Sequence, residues 1–147
     1  MLKKVKLDIE SHITELDEFG LITSEVETSR ATHDGVLIFF NDEVSLSYHE
    51  KNENGEVFCK IIVRDNSVTV QRRGAIVSTM VFEKDRTFNT VYEIPPFKFD
   101  MEIKTKSIIN SLLSKESFLG IVYEMRVGGA GKLAKMNITA CEVKNKQ

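Results

Sequence analysis

The segment Phe97-Lys98-Phe99-Asp100-Met101-Glu102-Ile103-Lys104 decides the fold. Apolar and charged residues alternate through it without a break. Successive side chains on a strand point to opposite faces, so this order builds one dry face and one wet face. A helix, at 3.6 residues per turn, would scatter the same four apolar residues around its circumference. Phe97, Phe99, Met101 and Ile103 are therefore expected to point inward. The same period of two recurs on either side. Val5, Leu7 and Ile9 alternate with Lys6, Asp8 and Glu10; Val44, Leu46 and Tyr48 with Ser45, Ser47 and His49; Val68 and Val70 with Thr69 and Gln71. One-sided burial of this kind belongs to antiparallel sheet.

Turn residues separate these runs: Asn41-Asp42, Asn52-Glu53-Asn54-Gly55, Asp65-Asn66, Lys84-Asp85 and Gly128-Gly129-Ala130-Gly131. Asn-Gly tolerates the positive φ of a hairpin turn, and Pro95-Pro96 cannot lie in a central ladder, so it marks a corner before Phe97. Connections this short imply an up-and-down meander rather than parallel crossovers. About ten strands with almost no helix to cover them must bury their apolar faces against one another, and a closed barrel also removes open edges. The expected fold is all-β: one antiparallel up-and-down barrel spanning residues 1–147, with 1–3 and 144–147 frayed. Two segments depart from the pattern. Val36-Leu37-Ile38-Phe39-Phe40 is apolar on both faces, which suits a strand covered on both sides or one bearing an exposed patch. Residues 107–115, with Ile108, Ile109, Leu112 and Leu113, fit a strand and a short amphipathic helix equally well. A loop is expected over Leu16 to Phe19.

Composition removes several function classes. With 41% hydrophobic and 29% charged residues the chain is ordinary for a soluble globular domain. Its net charge of −2 supplies no overall field for nucleic acid or an anionic membrane. Charges at every second position near the N-terminus rule out the apolar run of a signal peptide, and no stretch approaches a membrane span. A cytoplasmic location follows as an expectation, with Cys59 and Cys141 as free thiols. Asn137-Ile138-Thr139 is then a sequon without consequence, since glycosylation requires secretion.

The strand sequence also resembles the YwiB-like family, small uncharacterised bacterial proteins with a calycin-like, lipocalin-type β-barrel. The resemblance runs from Gly35 to Glu142. It is carried by Gly35-Val36-Leu37 before Leu46-Ser47-Tyr48, by Val70-Gln71-Arg72-Arg73-Gly74 before Met80-Val81-Phe82, by Tyr92-Glu93-Ile94-Pro95 before Phe97-Lys98-Phe99, by Thr105-Lys106, and by Val122-Tyr123-Glu124-Met125. Where the family pattern has Tyr-Gly after the proline, this chain has Pro96-Phe97, so that corner departs from it. The resemblance implies a fold and no activity, and it favours strand for residues 107–115. Secreted lipocalins carry an early Gly-x-Trp, whereas this chain has no Trp.

No assembled chemistry stands out. A Ser or Cys nucleophile needs a nearby base, and His12, His33 and His49 lie in no nucleophile elbow. Three scattered histidines offer no metal spacing, so neither metal nor cofactor is expected. His33 beside Asp34-Gly35 reads as turn-like and His49 as solvated. Gly128-Gly129-Ala130-Gly131 precedes what reads as the last strand, so it is a hairpin loop rather than a phosphate cradle. The basic residues Arg64, Arg72, Arg73, Lys84 and Arg86 do not form one patch, because strand parity puts Arg72 and Arg73 on opposite faces.

Arg72 is the informative residue, since it shares the inward face of Val68 and Val70. A charge there must be paired or hydrated. It is either satisfied structurally at the barrel mouth or orients an anionic head while apolar neighbours hold the ligand body. By parity those neighbours are Tyr48, Met80, Phe82, Tyr92, Phe99, Tyr123 and Met125. The expected function is a non-enzymatic barrel that binds a small, largely apolar or anionic molecule inside. The alternative is a filled barrel with no ligand, structural or binding a protein partner or second copy through Val36-Leu37-Ile38-Phe39-Phe40. A single-strand nucleic-acid-binding barrel is the third reading, which the overall charge supports least.

Overall fold

A computed structural model describes residues 1–112 and 117–143. Ten strands follow one another: β1 (Leu2–Leu16), β2 (Glu27–Phe40), β3 (Glu43–Asn52), β4 (Gly55–Arg64), β5 (Ser67–Gly74), β6 (Ser78–Glu83), β7 (Thr87–Ile94), β8 (Phe97–Asn110), β9 (Ser117–Val127) and β10 (Ala130–Glu142). They form one antiparallel sheet in the order β6-β5-β4-β3-β2-β1-β10-β9-β8-β7, with no helix among the described residues. Neighbours in sequence are thus neighbours in the sheet, except at one place. β1 and β10 join the two ends of the meander by a continuous ladder from Val5–Glu142 to Leu16–Gly131. β6 and β7, although consecutive, share no hydrogen-bonded ladder: Val77, just before β6, bridges Glu93 through two N–H···O bonds of 2.9 Å, and the Thr90 hydroxyl donates to the Thr79 carbonyl at 2.7 Å. The barrel is nearly closed, with this seam as its weak joint.

The core follows the alternation. Leu7, Leu46, Ile61, Phe82, Ile103, Leu119, Ile121 and Ile138 are fully buried, each from the inward register of its strand. Each such side chain contributes about 1.5–3 kcal/mol relative to exposure. In the deciding segment Met101 and Ile103 are buried, but Phe97 and Phe99 are 63% and 43% exposed. Pairing explains the correction. β8 is joined to β7 from Phe97 onward, whereas β9 joins it only from Met101, opposite Val127. Phe97 to Asp100 therefore overhang the barrel as a two-stranded ribbon, where the inward face has little left to cover it.

The ambiguous segments resolve. Residues 107–110 continue β8 after a bulge between Thr105 and Ser107, and Leu112 is buried; Leu113 to Lys115 lie outside the described residues. After Leu16 the chain turns, with Asp17 Oδ1 accepting from the amides of Phe19 (2.8 Å) and Leu21 (2.9 Å). The first three residues are held in the sheet rather than frayed: Met1 and Phe39 exchange backbone bonds, and Leu2 and Lys3 pair with Ile38 and Leu37. Gly128 (φ +57°) and Gly129 (φ +87°) make a two-residue hairpin loop, the double positive φ that favours glycine. At the β3–β4 turn the flanking pair is Asn52–Gly55, so Glu53-Asn54 rather than Asn54-Gly55 occupy its centre. Of the doubly apolar run, Leu37 is buried, whereas Ile38 and Phe40 are exposed on the outer face. His33 is no turn residue: it sits within β2, its ring 5.1 Å from Tyr48.

Candidate functional site

β5 delivers Arg72 to the inside because Val70 and Val68, two and four residues earlier, are buried on the same face. The arginine lies opposite Cys59 of β4 and Ser78 of β6. It opens into a cavity of about 550 Å³ at one end of the barrel. Six of the eight residues expected to surround a ligand line this cavity: Arg72, Met80, Tyr92, Phe99, Tyr123 and Met125. The other two do not. Phe82 is completely buried and stacks behind Tyr123, their rings 4.8 Å apart, so its place is in the core. Tyr48 is buried among His33, Cys59 and Arg72 rather than on the cavity wall.

Of the cavity residues that escaped the sequence reading, Ile76, Met101, Val127 and Ala130 are apolar and two are charged, Glu50 and Lys132. Both charged residues continue an inward register. Glu50 follows Val44, Leu46 and Tyr48 at steps of two, and Lys132 precedes the buried Ala134 and Met136. Extending each alternation by one step toward the strand end would have found them. Their charge hid them, because at a barrel mouth the inward face need not be apolar.

The electrostatics centre on Arg72. Burial works against its charge, but the surrounding Tyr48, Cys59, Glu50 and Tyr92 more than offset this and hold its pKa above the ordinary guanidinium value. Among the described residues no carboxylate lies within 4.0 Å of Arg72, and neither Glu50 nor Lys132 takes part in an ion pair. Burial also pushes the phenol of Tyr123 up, with the positive Arg72 opposing it. The Cys59 thiol is pushed up by burial and by Glu50, with Arg72 again opposing. The cavity thus offers the Arg72 guanidinium, the side chains of Glu50 and Lys132, two phenols and an apolar wall.

Elsewhere the described residues hold no cluster of three metal-binding side chains. One hydroxyl–imidazole–carboxylate chain does assemble, on the outer face of β1 and β2. His12 Nδ1 lies 3.1 Å from Thr28 Oγ1, and its Nε2 lies 2.7 Å from Glu10. None of the three residues lines the interior cavity.

Comparison with known proteins agrees with the barrel. The family model described as Domain of unknown function (DUF1934) matches residues 18–139. The uncharacterised β-barrel protein YwiB of Bacillus subtilis (strain 168) is 29% identical over 99 residues, which covers 67% of this chain and 70% of that protein. The crystal structure of ywiB protein from Bacillus subtilis superposes with a TM-score of 0.79 at 26% identity, covering 97% of this chain and 94% of that one. These similarities carry a fold and no activity.

Proposed function

Because the chain belongs to the DUF1934 family of uncharacterised β-barrel proteins, whose name assigns no chemistry, the reading must come from the cavity, and we propose that it binds a small anionic molecule with an apolar body. One observation carries the proposal: a partly buried arginine opens into an otherwise largely apolar cavity with no carboxylate in ion-pairing reach. Arginine presents rigidly forked donors that match a carboxylate or phosphate. Ile76, Met80, Met101 and Met125 hold the body, and apolar surface of this kind supplies most of the affinity of such pockets. The role is one of binding rather than turnover. It belongs to a reducing compartment such as the cytoplasm, which suits two free cysteines.

Replacing Arg72 by Met keeps an unbranched apolar stem and removes the donors. Affinity for an anionic probe, such as a medium-chain fatty acid, should fall by about 1.5–3 kcal/mol, and affinity for the matching alcohol much less. Isothermal titration of both probes reads this; equal losses would sink the proposal. The second reading, a barrel that docks a second copy, draws on the exposed Ile38 and Phe40 beside Leu2 on the outer face. Native mass spectrometry of freshly purified protein separates the two. A co-purifying small mass supports the ligand, and a ligand-free dimer supports the docking face.

A further inference from the structure

A groove of about 870 Å³ lies on the outside of the barrel, crossing β1 to β5. One cross-strand row of its wall runs Lys4–Val36–Ser47–Lys60–Gln71, and the next includes His49–Phe58–Arg73. Lys4, Lys60 and Arg73 are exposed, and among the described residues none of them joins an ion pair. The single carboxylate lining the groove, Asp34, is taken by Lys6 at 3.5 Å. Elsewhere Arg30, Arg64 and Arg86 are matched to Asp8, Glu43 and Glu83, whereas the exposed Lys51, Lys84, Lys104 and Lys135 also lack an ion pair among the described residues. What sets the groove apart is that Lys4, Lys60 and Arg73 share one concave face with no free carboxylate, in a chain of net charge −2.

The groove also holds an aromatic platform. Phe58 is 47% exposed, and the His49 ring meets it edge-on at 4.4 Å. Arg73 is the direct cross-strand partner of Phe58, and Lys60 is two residues further along the same face of β4. The platform therefore has a cation on each side. From Lys4 to Lys60 the row crosses three inter-strand gaps, about 14 Å, so one small anion cannot satisfy all the charges. A chain of regularly spaced anions can. Phosphates against spaced cations, with a base stacked on an exposed ring between them, is how sheet surfaces bind single strands.

We propose that this outer groove is a second binding site, for single-stranded nucleic acid, independent of the interior cavity. Of the basic residues that cluster in sequence around Arg72, only Arg73 lines it. Arg72 points inside, Arg64 and Arg86 are paired, and the groove instead recruits Lys4 from a strand far away in the chain.

The test is fluorescence anisotropy with a labelled oligothymidylate of about 15 nucleotides, starting near 50 mM salt. Three phosphate contacts predict that log K falls with log salt with a slope of about −2. Replacing Lys60 and Arg73 together by Gln should flatten that slope by about 1.4. Phe58→Ala should weaken binding at least about fivefold, the lower end for one stacked base. Arg72→Met should leave oligonucleotide binding unchanged. All three groove substitutions are at exposed outer positions, and far-ultraviolet circular dichroism checks that the fold persists. No binding at the lowest salt overturns the proposal, as does binding that the double variant leaves intact. Tighter binding to phosphatidylglycerol vesicles than to the oligonucleotide overturns it too.

Discussion

Cys59 and Cys141 fall on opposite faces of their respective strands, β4 and β10, and have opposite fates. Cys59 faces the interior beside Arg72, and Cys141 is exposed on β10. Thiol chemistry runs through the thiolate, and burial holds the Cys59 proton on more tightly than in an ordinary thiol. Titration of the native protein with a thiol-specific chromogenic reagent at neutral to mildly alkaline pH should therefore report one fast-reacting thiol, lost in Cys141→Ser. Cys59 should react only after denaturant is added. Fast reaction of Cys59 in the native protein would mean that solvent reaches the mouth more freely than its burial implies. The same packing makes Arg72 consequential: a charge held in place by Tyr48, Cys59 and Glu50 has few ways to swing out to water.

Strand ends and turns decide where these side chains arrive. β5 closes on Gly74, at φ +115°, where an added Cβ would lie 2.4 Å from the Glu56 carbonyl oxygen. Both the backbone conformation and the contact exclude a larger residue. Gly74→Ala should cost about 1–3 kcal/mol, read as a lower urea midpoint with an unchanged slope. Gly128 provides the contrast: at φ +57° with open space around it, Gly128→Asn should cost well under that, because Asn tolerates the left-handed region. Equal losses for the two would remove the contact with Glu56 from the explanation. Gly74 also matters to function, since a displaced end of β5 would shift Arg72 and Arg73 together, one toward each candidate site.

For the barrel as a whole, the two joints differ in strength. The joint between the first and last strands is a full ladder, while β6 and β7 share one bridge and one side-chain bond. The β6–β7 connection bonds instead to β8, with Asp85 N donating to the Thr105 carbonyl and Thr105 N to that of Arg86. Thr105 Oγ1 and, on β6, Ser78 Oγ are buried near this seam without a partner among the described residues. Local opening follows the weakest set of hydrogen bonds. Hydrogen exchange should accordingly be faster for amides facing the seam on β6 and β7 than for those between β1 and β10. Since Ile76, Met80 and Tyr92 line the interior cavity next to this seam, a ligand in the cavity should slow exchange there first. Uniform exchange around the barrel would contradict the closure described here.

Much was legible from residues alone. Alternation such as Val44-Ser45-Leu46-Ser47-Tyr48 is enforced by backbone geometry, so strand, face and hairpin order were present in the sequence, and so was the inward direction of Arg72. What remained illegible depends on register between distant segments. Phe97 and Phe99 obey the inward parity yet lie exposed, because only the pairing with β9 determines where β8 leaves the barrel. Glu50 and Lys132 join Arg72 around one cavity, and Lys4 joins Lys60 and Arg73 along one groove, from strands well separated in sequence. Periodicity is a local property of a single strand. Where the strands close on one another, and which charges they bring together there, is decided by long-range pairing that no stretch of sequence contains.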